Sequence, residues 1–402
     1  MKIAFVHRWH TEGMGYTDNM LPKAMAKLGH EVHLITSNTQ IYFNEQMYPD
    51  VYEPIFGPGI TSCGVKIRDG VTIHRLPYYD FCPFKASIHR FDEFGIKGLF
   101  QYLGKIKPDV IQALEINSII TYNSAKWAKI NNACLFTENH IHKSVFNPKN
   151  KHIISFYNNF NPFLKLINNQ TCMHYPIAPD VAEISRNYYK VPKSKIAIQS
   201  LGVDTDLFTR EPDVTLKKQL KIKHGFNENE IVAIYTGRIT KSKKPMVLAE
   251  AIELLQEKGL PFRGLFIGNG NSEDINYIKQ KKGCVIIDFM PMTELKEYYQ
   301  LADIGVWPRE ESTAQLDAMA CGLPLILSNK IKAFDRIEGN GLLYEEGDSI
   351  DLCNKILKIG EINNNNKLGI EGSKKVFENY SWDSIAKSRL LNYENCLKKI
   401  KK

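Results

Sequence analysis

The sequence WPREESTAQLDAMACGLPLILS, residues 307–328, decides the fold. The apolar run Ile304 to Trp307 reads as a buried strand, and Leu325 to Leu327 as a second. Between them Arg309 to Thr313 are polar. Gln315 to Ala320 then predicts a helix of small and apolar residues, closed by Gly322 and Pro324. A polar loop therefore joins the C-terminal end of one strand to the N-terminus of a helix. In an open α/β sheet ligands bind at that place, and the free N–H groups of a helix N-terminus favour an anion. Glu310 and Glu311 stand in the loop, and Asp317 lies one turn into the helix. Either these carboxylates accept hydrogen bonds from sugar hydroxyls while the backbone faces a phosphate, or they complement the helix dipole as part of an ordinary cap.

Upstream the same alternation repeats. Ile231 to Thr236 is a strand ended by Gly237-Arg238, followed by a basic loop (Lys241, Lys243, Lys244), Pro245 and a helix from Met246 to Lys258. Proline suits the first helical turn. Arg238, Lys243 and the helix N-terminus are placed to converge on a diphosphate, Arg through its planar fork and Lys as a point charge. The strand Phe262 to Ile267 runs into Gly268-Asn269-Gly270, which leaves room for a ligand against the backbone. Val285 to Ile287 and a helix at Glu294 to Ala302 complete this half, and helices at Asp351 to Lys358, Asn365 to Phe377 and Asp383 to Lys399 follow the quoted stretch.

The first half has the same logic. A strand at Ile3 to His7, a loop with Gly13 and Gly15, a helix at Thr17 to Leu28 and a strand at Glu31 to Thr36 form a βαβ unit. The loop is not G-x-G-x-x-G, so it lacks the dinucleotide fingerprint. Residues 37–70 read as an insertion or long loop. Then come strand Val71 to Leu76, helix Phe91 to Ile106, strand Val110 to Leu114, helix Ile119 to Ile130 and strand Ala133 to Thr137. Glu138-Asn139-His140-Ile141-His142 sits at that strand's end, where His140 or His142 is placed to contact a substrate hydroxyl or act as a base. Residues 143–170 mix lysines with aromatic and aliphatic residues, as a membrane-surface segment or an ordinary docked helix does. Strands at Cys172 to Tyr175 and Lys195 to Gln199 flank a helix at Asp180 to Tyr189. The expected architecture is two doubly wound, Rossmann-like α/β domains with binding loops at a shared central cleft, residues 1–205 and 206–380.

The composition, 43% hydrophobic and 24% charged over 402 residues, is that of a globular protein large enough for two domains. The eight cysteines form no C-x-x-C pair, which suits buried thiols in a reducing compartment better than a disulfide framework or a zinc site. The N-terminal apolar run is too short for a signal peptide and no stretch reaches membrane-spanning length, so a cytoplasmic, at most peripherally membrane-bound protein is expected. The net charge of +8 is uneven: residues 101–200 carry 12 basic against 5 acidic residues. That surface favours an anionic partner or is a solvated face. No aromatic-plus-basic recognition motif points to nucleic acid.

Taken together, the Gly13–Gly15 loop with KAMAKLGHEVHLIT, LGVDTDLF, TGRITKSKKP, LFIGNGN, LADIGVWP, LDAMACGLPLILS and YSWDSIAKS resemble glycosyltransferase family 4. That family's members are retaining, nucleotide-sugar-dependent enzymes of the two-Rossmann GT-B fold. The resemblance implies that Arg238 and Lys243 bind the donor diphosphate and stabilise the departing nucleotide. It implies that Gly15 approaches the phosphates, that Gly268 and Gly270 lie near the nucleotide, and that Asp317 holds the ribose. It makes His140 the histidine near the donor sugar, and residues 381–402, with Trp382, the segment that crosses back onto the first domain. The family's Glu-x7-Glu spacing is absent, because Arg309 stands eight residues before Asp317. Glu311 is then the donor-sugar contact, with Glu310 the other choice, and Ser312-Thr313-Ala314 replace a Gly-x-Gly.

The implied reaction passes a sugar from a UDP- or GDP-sugar to a glycan or lipid-linked acceptor in cell-surface polysaccharide synthesis, on the inner face of an anionic membrane. Arg238, Lys243 and helix N-termini offset the charge on the leaving nucleotide, so neither metal nor cofactor is expected. The alternatives are a sugar-nucleotide epimerase on the same fold and a non-catalytic glycan-binding relative.

Overall fold

The computed structural model describes residues 1–80, 94–143, 146, 151–211, 213–309, 312–362 and 366–400. The chain forms two compact units, one of Met1–Leu201 with Ile385–Lys402 and one of Gly202–Ser384.

The first unit contains strands β1 (Lys2–His7), β2 (Glu31–Ser37), β3 (Gly64–Arg68), β4 (Val71–Leu76), β5 (Tyr78–Asp80), β6 (Phe94–Ile96), β7 (Val110–Leu114), β8 (Cys134–Asn139) and β9 (Thr171–Pro176). Its helices are α1 (Thr17–Lys27), α2 (Glu53–Phe56), α3 (Leu99–Ile106), α4 (Ile119–Asn131), α5 (Lys151–Gln170) and α6 (Pro179–Asn187). Seven strands form one sheet in the order β3-β4-β2-β1-β7-β8-β9. All pairs are parallel except β3–β4, a hairpin turned at Asp69-Gly70 with φ of 51° and 77°. Positive φ at both turn residues is what a twisted two-residue hairpin demands. The core strands are apolar on both faces because helices cover both; Ile3, Phe5, Ile111 and Leu135 are fully buried.

The second unit contains α7 (Val214–Lys223), β10 (Ile231–Thr236), α8 (Pro245–Glu257), β11 (Phe262–Ile267), α9 (Ser272–Lys279), β12 (Cys284–Ile287), α10 (Met292–Leu301), β13 (Ile304–Trp307), α11 (Thr313–Ala320), β14 (Leu325–Ser328), β15 (Gly341–Tyr344), α12 (Ser349–Ile362) and α13 (Lys367–Asn379). The last helix, α14 (Trp382–Ile400), begins here and continues into the first unit. Its six-stranded parallel sheet has the order β12-β11-β10-β13-β14-β15. Numbered within the unit this is 3-2-1-4-5-6, the doubly wound order, and the parallel strands of the first unit repeat it. The expected pair of Rossmann-like sheets is therefore present.

Several local expectations change. Residues 37–70 are not structureless: they hold a π-helical turn at Tyr48–Tyr52, α2 and the edge strand β3. The expected strand at Lys195 to Gln199 is a 3-10 turn (Lys193–Lys195) with a single bridge between His174 and Ile196. Those residues still run beside the edge strand β9, with Ala197 N donating to the His174 carbonyl and Gln199 N to the Pro176 carbonyl (3.0 Å each), but they form only an isolated bridge and no strand. Helices α7 and α9 and strand β15 escape a pattern reading, because short, half-exposed elements carry little periodicity. Residues 151–170 are helical, with Leu164 and Ile167 buried in the core, which favours the docked helix over the membrane segment. Among the described residues no helix is long and apolar enough to cross a membrane.

The cysteines need a correction. Cys172 on β9 and Cys396 on α14 form a disulfide, so not all eight are free thiols. The two are 224 residues apart, and only the return of α14 brings them together. Cys134 Sγ lies with those two sulfurs in a group within 4.8 Å.

Candidate functional site

In a doubly wound sheet the chain leaves adjacent strands in opposite directions at one point, and a crevice opens over their C-terminal ends. In the second unit that point lies between β10 and β13. Arg238, exposed, stands in the loop after β10. The strand end beneath it is pinned: Tyr235 Oη donates to the Arg238 carbonyl (2.9 Å), Trp307 Nε1 to the Thr236 carbonyl (3.0 Å), and the Thr236 and Tyr299 hydroxyls are 2.7 Å apart. Lys243 is half-buried one turn later, just before α8, whose first residue is Pro245. Two basic residues of this loop pair with carboxylates. Lys241 pairs with Glu273 at 3.0 Å, and Lys244 with Glu346 at 3.2 Å.

The glycine loop after β11 packs against this one. A Cβ on Gly268 would lie 2.1 Å from the Gly237 carbonyl oxygen, and one on Gly270 would lie 1.9 Å from that of Ile239. These glycines are thus required by the neighbouring backbone, to which Gly270 is bridged through Ile239, before any ligand is considered.

Across the switch point, the loop after β13 leads into α11. Glu310 and Glu311 lie outside the described residues. Helix α11 starts at Thr313, two residues earlier than its apolar run suggested, because Ser312 caps it and its side chain accepts from Ala314 N. Arg336 fixes this turn by donating to the Ser312 carbonyl (3.0 Å) and to Gln315 Oε1 (3.2 Å). Asp317 projects from α11; burial first, and the Asp204 carboxylate second, push its pKa up to about 8. Asp204 belongs to the LGVDTDLF stretch, where its side chain accepts from the backbone N–H of Asp206 and Leu207. Arg309 donates to the Ser242 carbonyl (3.3 Å) and lies 3.8 Å from Glu346. Glu346 thus collects Lys244, Arg309 and, at 2.8 Å, the Ser328 hydroxyl. Sequence reasoning missed this residue, which follows the unrecognised β15.

In the first unit the equivalent point lies between β1 and β7, beside β2 and β8. Polar groups crowd these strand ends. His7 ends β1, Thr36 is its neighbour on β2, Glu115 follows β7 and Asn139 ends β8. All four are buried. Among the described residues His7 Nε2, Thr36 Oγ1, Glu115 Oε2 and both amide atoms of Asn139 have no hydrogen-bond partner. Glu115 has a φ of +62°, a conformation that a side chain rarely adopts and that clusters at functional sites. Burial pushes its carboxyl up, against His140 and Arg8. Buried polar groups are normally paired, so this row marks a place for a polar ligand. The signal was present in the polar residues that end each strand, but only His140 and His142 were singled out.

Those two histidines part company. His140 Nε2 is 3.5 Å from Glu138 Oε1, at the row of unpartnered groups. His142 Nδ1 is 3.1 Å from Asp180, at the start of α6, away from it in partners. Gly15 lies in the loop after β1 with φ +77°.

Residues 230–361 match the family described as "Glycosyl transferases group 1". Spore coat protein SA of Bacillus subtilis is 25% identical over 231 residues, 51% of this chain and 60% of that protein. The O-antigen biosynthesis glycosyltransferase WbnH of Escherichia coli is 27% identical over 197 residues, 46% of this chain and 54% of that protein. The chain thus spans little more than half the length of these relatives. The solved structure of Anabaena HepE in complex with UDP superposes with a TM-score of 0.68 over 98% of this chain and 100% of that one, at 13% identity. The fold is the two-sheet fold of GT-B glycosyltransferases. The group 1 match lies wholly within the second unit.

Proposed function

We propose that the protein is a retaining glycosyltransferase that moves a sugar from a UDP- or GDP-sugar to a glycan or lipid-linked acceptor in polysaccharide synthesis. One observation carries this reading. Within the matched segment, the switch point of a 3-2-1-4-5-6 sheet brings the Arg238–Lys243 loop and the capped N-terminus of α11 to adjoining strand ends. Arg238 and Lys243 meet the diphosphate, Asp317 accepts from the ribose hydroxyls, and Ser312 and Thr313 turn backbone N–H groups to the donor, while that of Ala314 goes to the Ser312 side chain. As the sugar–phosphate bond breaks, negative charge grows on the nucleotide. Arg238, Lys243 and two helix N-termini offset it, and no metal is required for that task. Glu310 or Glu311 contacts the donor sugar, and His140 is the candidate catalytic histidine. HepE binds UDP on the same fold, which supports a uridine nucleotide.

The lysine excess in residues 101–200 supports an anionic acceptor or an anionic membrane face for the reaction. Flotation with anionic vesicles, repeated with the lysines of 143–165 neutralised, tests that placement.

The deciding experiment incubates the purified chain with UDP-, GDP- and ADP-sugars, with and without chelator, and reads nucleotide release. Acceptor-dependent release that survives chelation and falls roughly 10²–10³-fold in Lys243→Ala upholds the reading. Epimerised free donor would point to an epimerase. No turnover with any donor would favour a binding protein.

A further inference from the structure

One pair in the loop after β1 has the arrangement of a tuned imidazole. His10 Nδ1 is 2.5 Å from Asp18 Oδ2, the first-turn acid of α1, and both residues are buried at 3% and 6% exposure. Asp18 also accepts from Asn19 Nδ2 at 3.0 Å. Burial alone would raise the Asp18 carboxyl, but the His10 hydrogen bond and the charges of His10 and His7 hold it below its usual range. Against an ionised carboxylate Nδ1 must donate, so in the neutral ring Nε2 presents a lone pair, whereas a protonated ring would donate from both nitrogens. That Nε2 is buried with no hydrogen-bond partner among the described residues.

The loop holding His10 is fixed from several sides. Arg75 Nη2 donates to the His10 carbonyl (3.0 Å), His10 N donates to the Thr39 carbonyl (3.3 Å), and Ile41 N donates to Thr11 Oγ1 (2.9 Å). Glu12 is clamped by Lys66 at 2.8 Å and Arg68 at 2.6 Å on the edge strand β3. The imidazole is therefore preorganised, which is the condition for a specific contact. His7, another of the unpartnered groups at this sheet edge, lies close enough to His10 for the two charges to interact.

We infer that His10, held in one tautomer by Asp18, accepts a hydrogen bond from a hydroxyl of the acceptor substrate and thereby selects which acceptor the first unit takes. A lone pair in this position calls for an O–H donor and rejects an ionised phosphate or carboxylate at the same point. Arg238 and Lys243, the proposed diphosphate ligands, belong to the second unit, which favours the acceptor as the source of the hydroxyl; Gly15 in the same loop makes the donor sugar the alternative, which the donor KM tests. This inference rests on the transferase reading above.

The test uses the full chain with the donor and acceptor found by the donor panel. His10→Ala is expected to raise the acceptor KM roughly 10-fold or more, the size of one lost hydrogen bond to a buried group. His10→Gln, whose Oε1 can accept in place of Nε2, should recover part of it. Asp18→Asn keeps the shape but lets the amide donate to Nδ1, which moves the ring proton to Nε2. It should raise acceptor KM with little change in the directly measured Kd for UDP. Nitrogen NMR of the imidazole should show an unprotonated Nε2 that shifts on adding acceptor. An unchanged acceptor KM in His10→Ala, a raised donor KM alone, or a protonated Nε2 in the wild type would overturn the inference. If the wild type turns over no donor, the transferase reading fails instead. His10 is then judged by NMR titration with free glucose, galactose and N-acetylglucosamine: a shift at Nε2 supports hydroxyl recognition and its absence removes it.

Discussion

Arg389 Nη1 lies 2.5 Å from Glu138 Oε2, with the two side chains 1% and 0% exposed. One partner comes from the last helix and the other from the end of β8, 251 residues apart. The guanidinium also stacks 4.5 Å from the Tyr175 ring and donates to Gln199 Oε1 at 2.7 Å, while Tyr393 Oη donates to Gln112 Oε1 at 2.8 Å. Helix α14 is thus anchored by charge to the strand end where His140 stands.

Removing one half of this pair should leave a buried charge unmatched. Arg389→Met is expected to destabilise the first unit by about 3–5 kcal/mol in urea unfolding. The pH dependence has a definite sign. Burial alone would raise the Glu138 carboxyl, but Arg389, His140 and His7 hold it well below the usual carboxylate range. A lowered folded pKa contributes stability above the unfolded value, about 4.3, and loses it as pH falls towards the folded one. The wild type should therefore show an acid loss below about pH 4 that is smaller in Arg389→Met.

Asp317 carries the opposite shift. With its pKa near 8, the folded chain holds a proton that the unfolded chain has lost. Its contribution to stability is full below about pH 3.9 and declines as pH rises through 8. Nucleotide binding should run the other way, because the ionised carboxylate is the better acceptor for ribose hydroxyls. UDP affinity by calorimetry is expected to rise about tenfold from pH 7 to pH 9. Asp317→Asn should flatten that profile; a profile that persists in the variant would assign the titration elsewhere.

Gly270 separates packing from ligand contact. A methyl group there meets the Ile239 carbonyl oxygen at 1.9 Å. Gly270→Ala should lower the stability of the second unit by about 1–3 kcal/mol through overpacking. Thermal unfolding without nucleotide would detect it. A variant of wild-type stability with weakened UDP binding would mean that the glycine serves the ligand alone.

The Cys172–Cys396 disulfide encloses the whole second unit in its loop. Reduction is expected to cost about 2–4 kcal/mol of stability, read as a lower Tm with a thiol reductant. The reductant effect should vanish in Cys396→Ser.

Much of the fold was legible along the chain. Buried parallel strands such as Ile231–Thr236 and Ile304–Trp307 are continuous apolar runs, and Gly322 and Pro324 mark the end of the helix that follows the second. Those signals are local, because a few neighbouring residues set backbone conformation and burial pattern. The basic loop with Arg238 and Lys243 was legible for the same reason, since position after a strand already implies position at the ligand edge.

The tertiary structure alone decided which polar groups meet. Local pattern does not say that Glu346 gathers Lys244 and Arg309, that Asp204 raises Asp317, that Asp18 orients His10, or that Arg389 reaches Glu138. Nor does it reveal that Gly268 and Gly270 are required by the chain beside them, or that Cys172 finds Cys396. Each of these depends on strand order and on the return of α14, which bring distant residues within a few ångströms. Hydrogen bonds and charges act over that range, whereas sequence spacing records only neighbours along the chain.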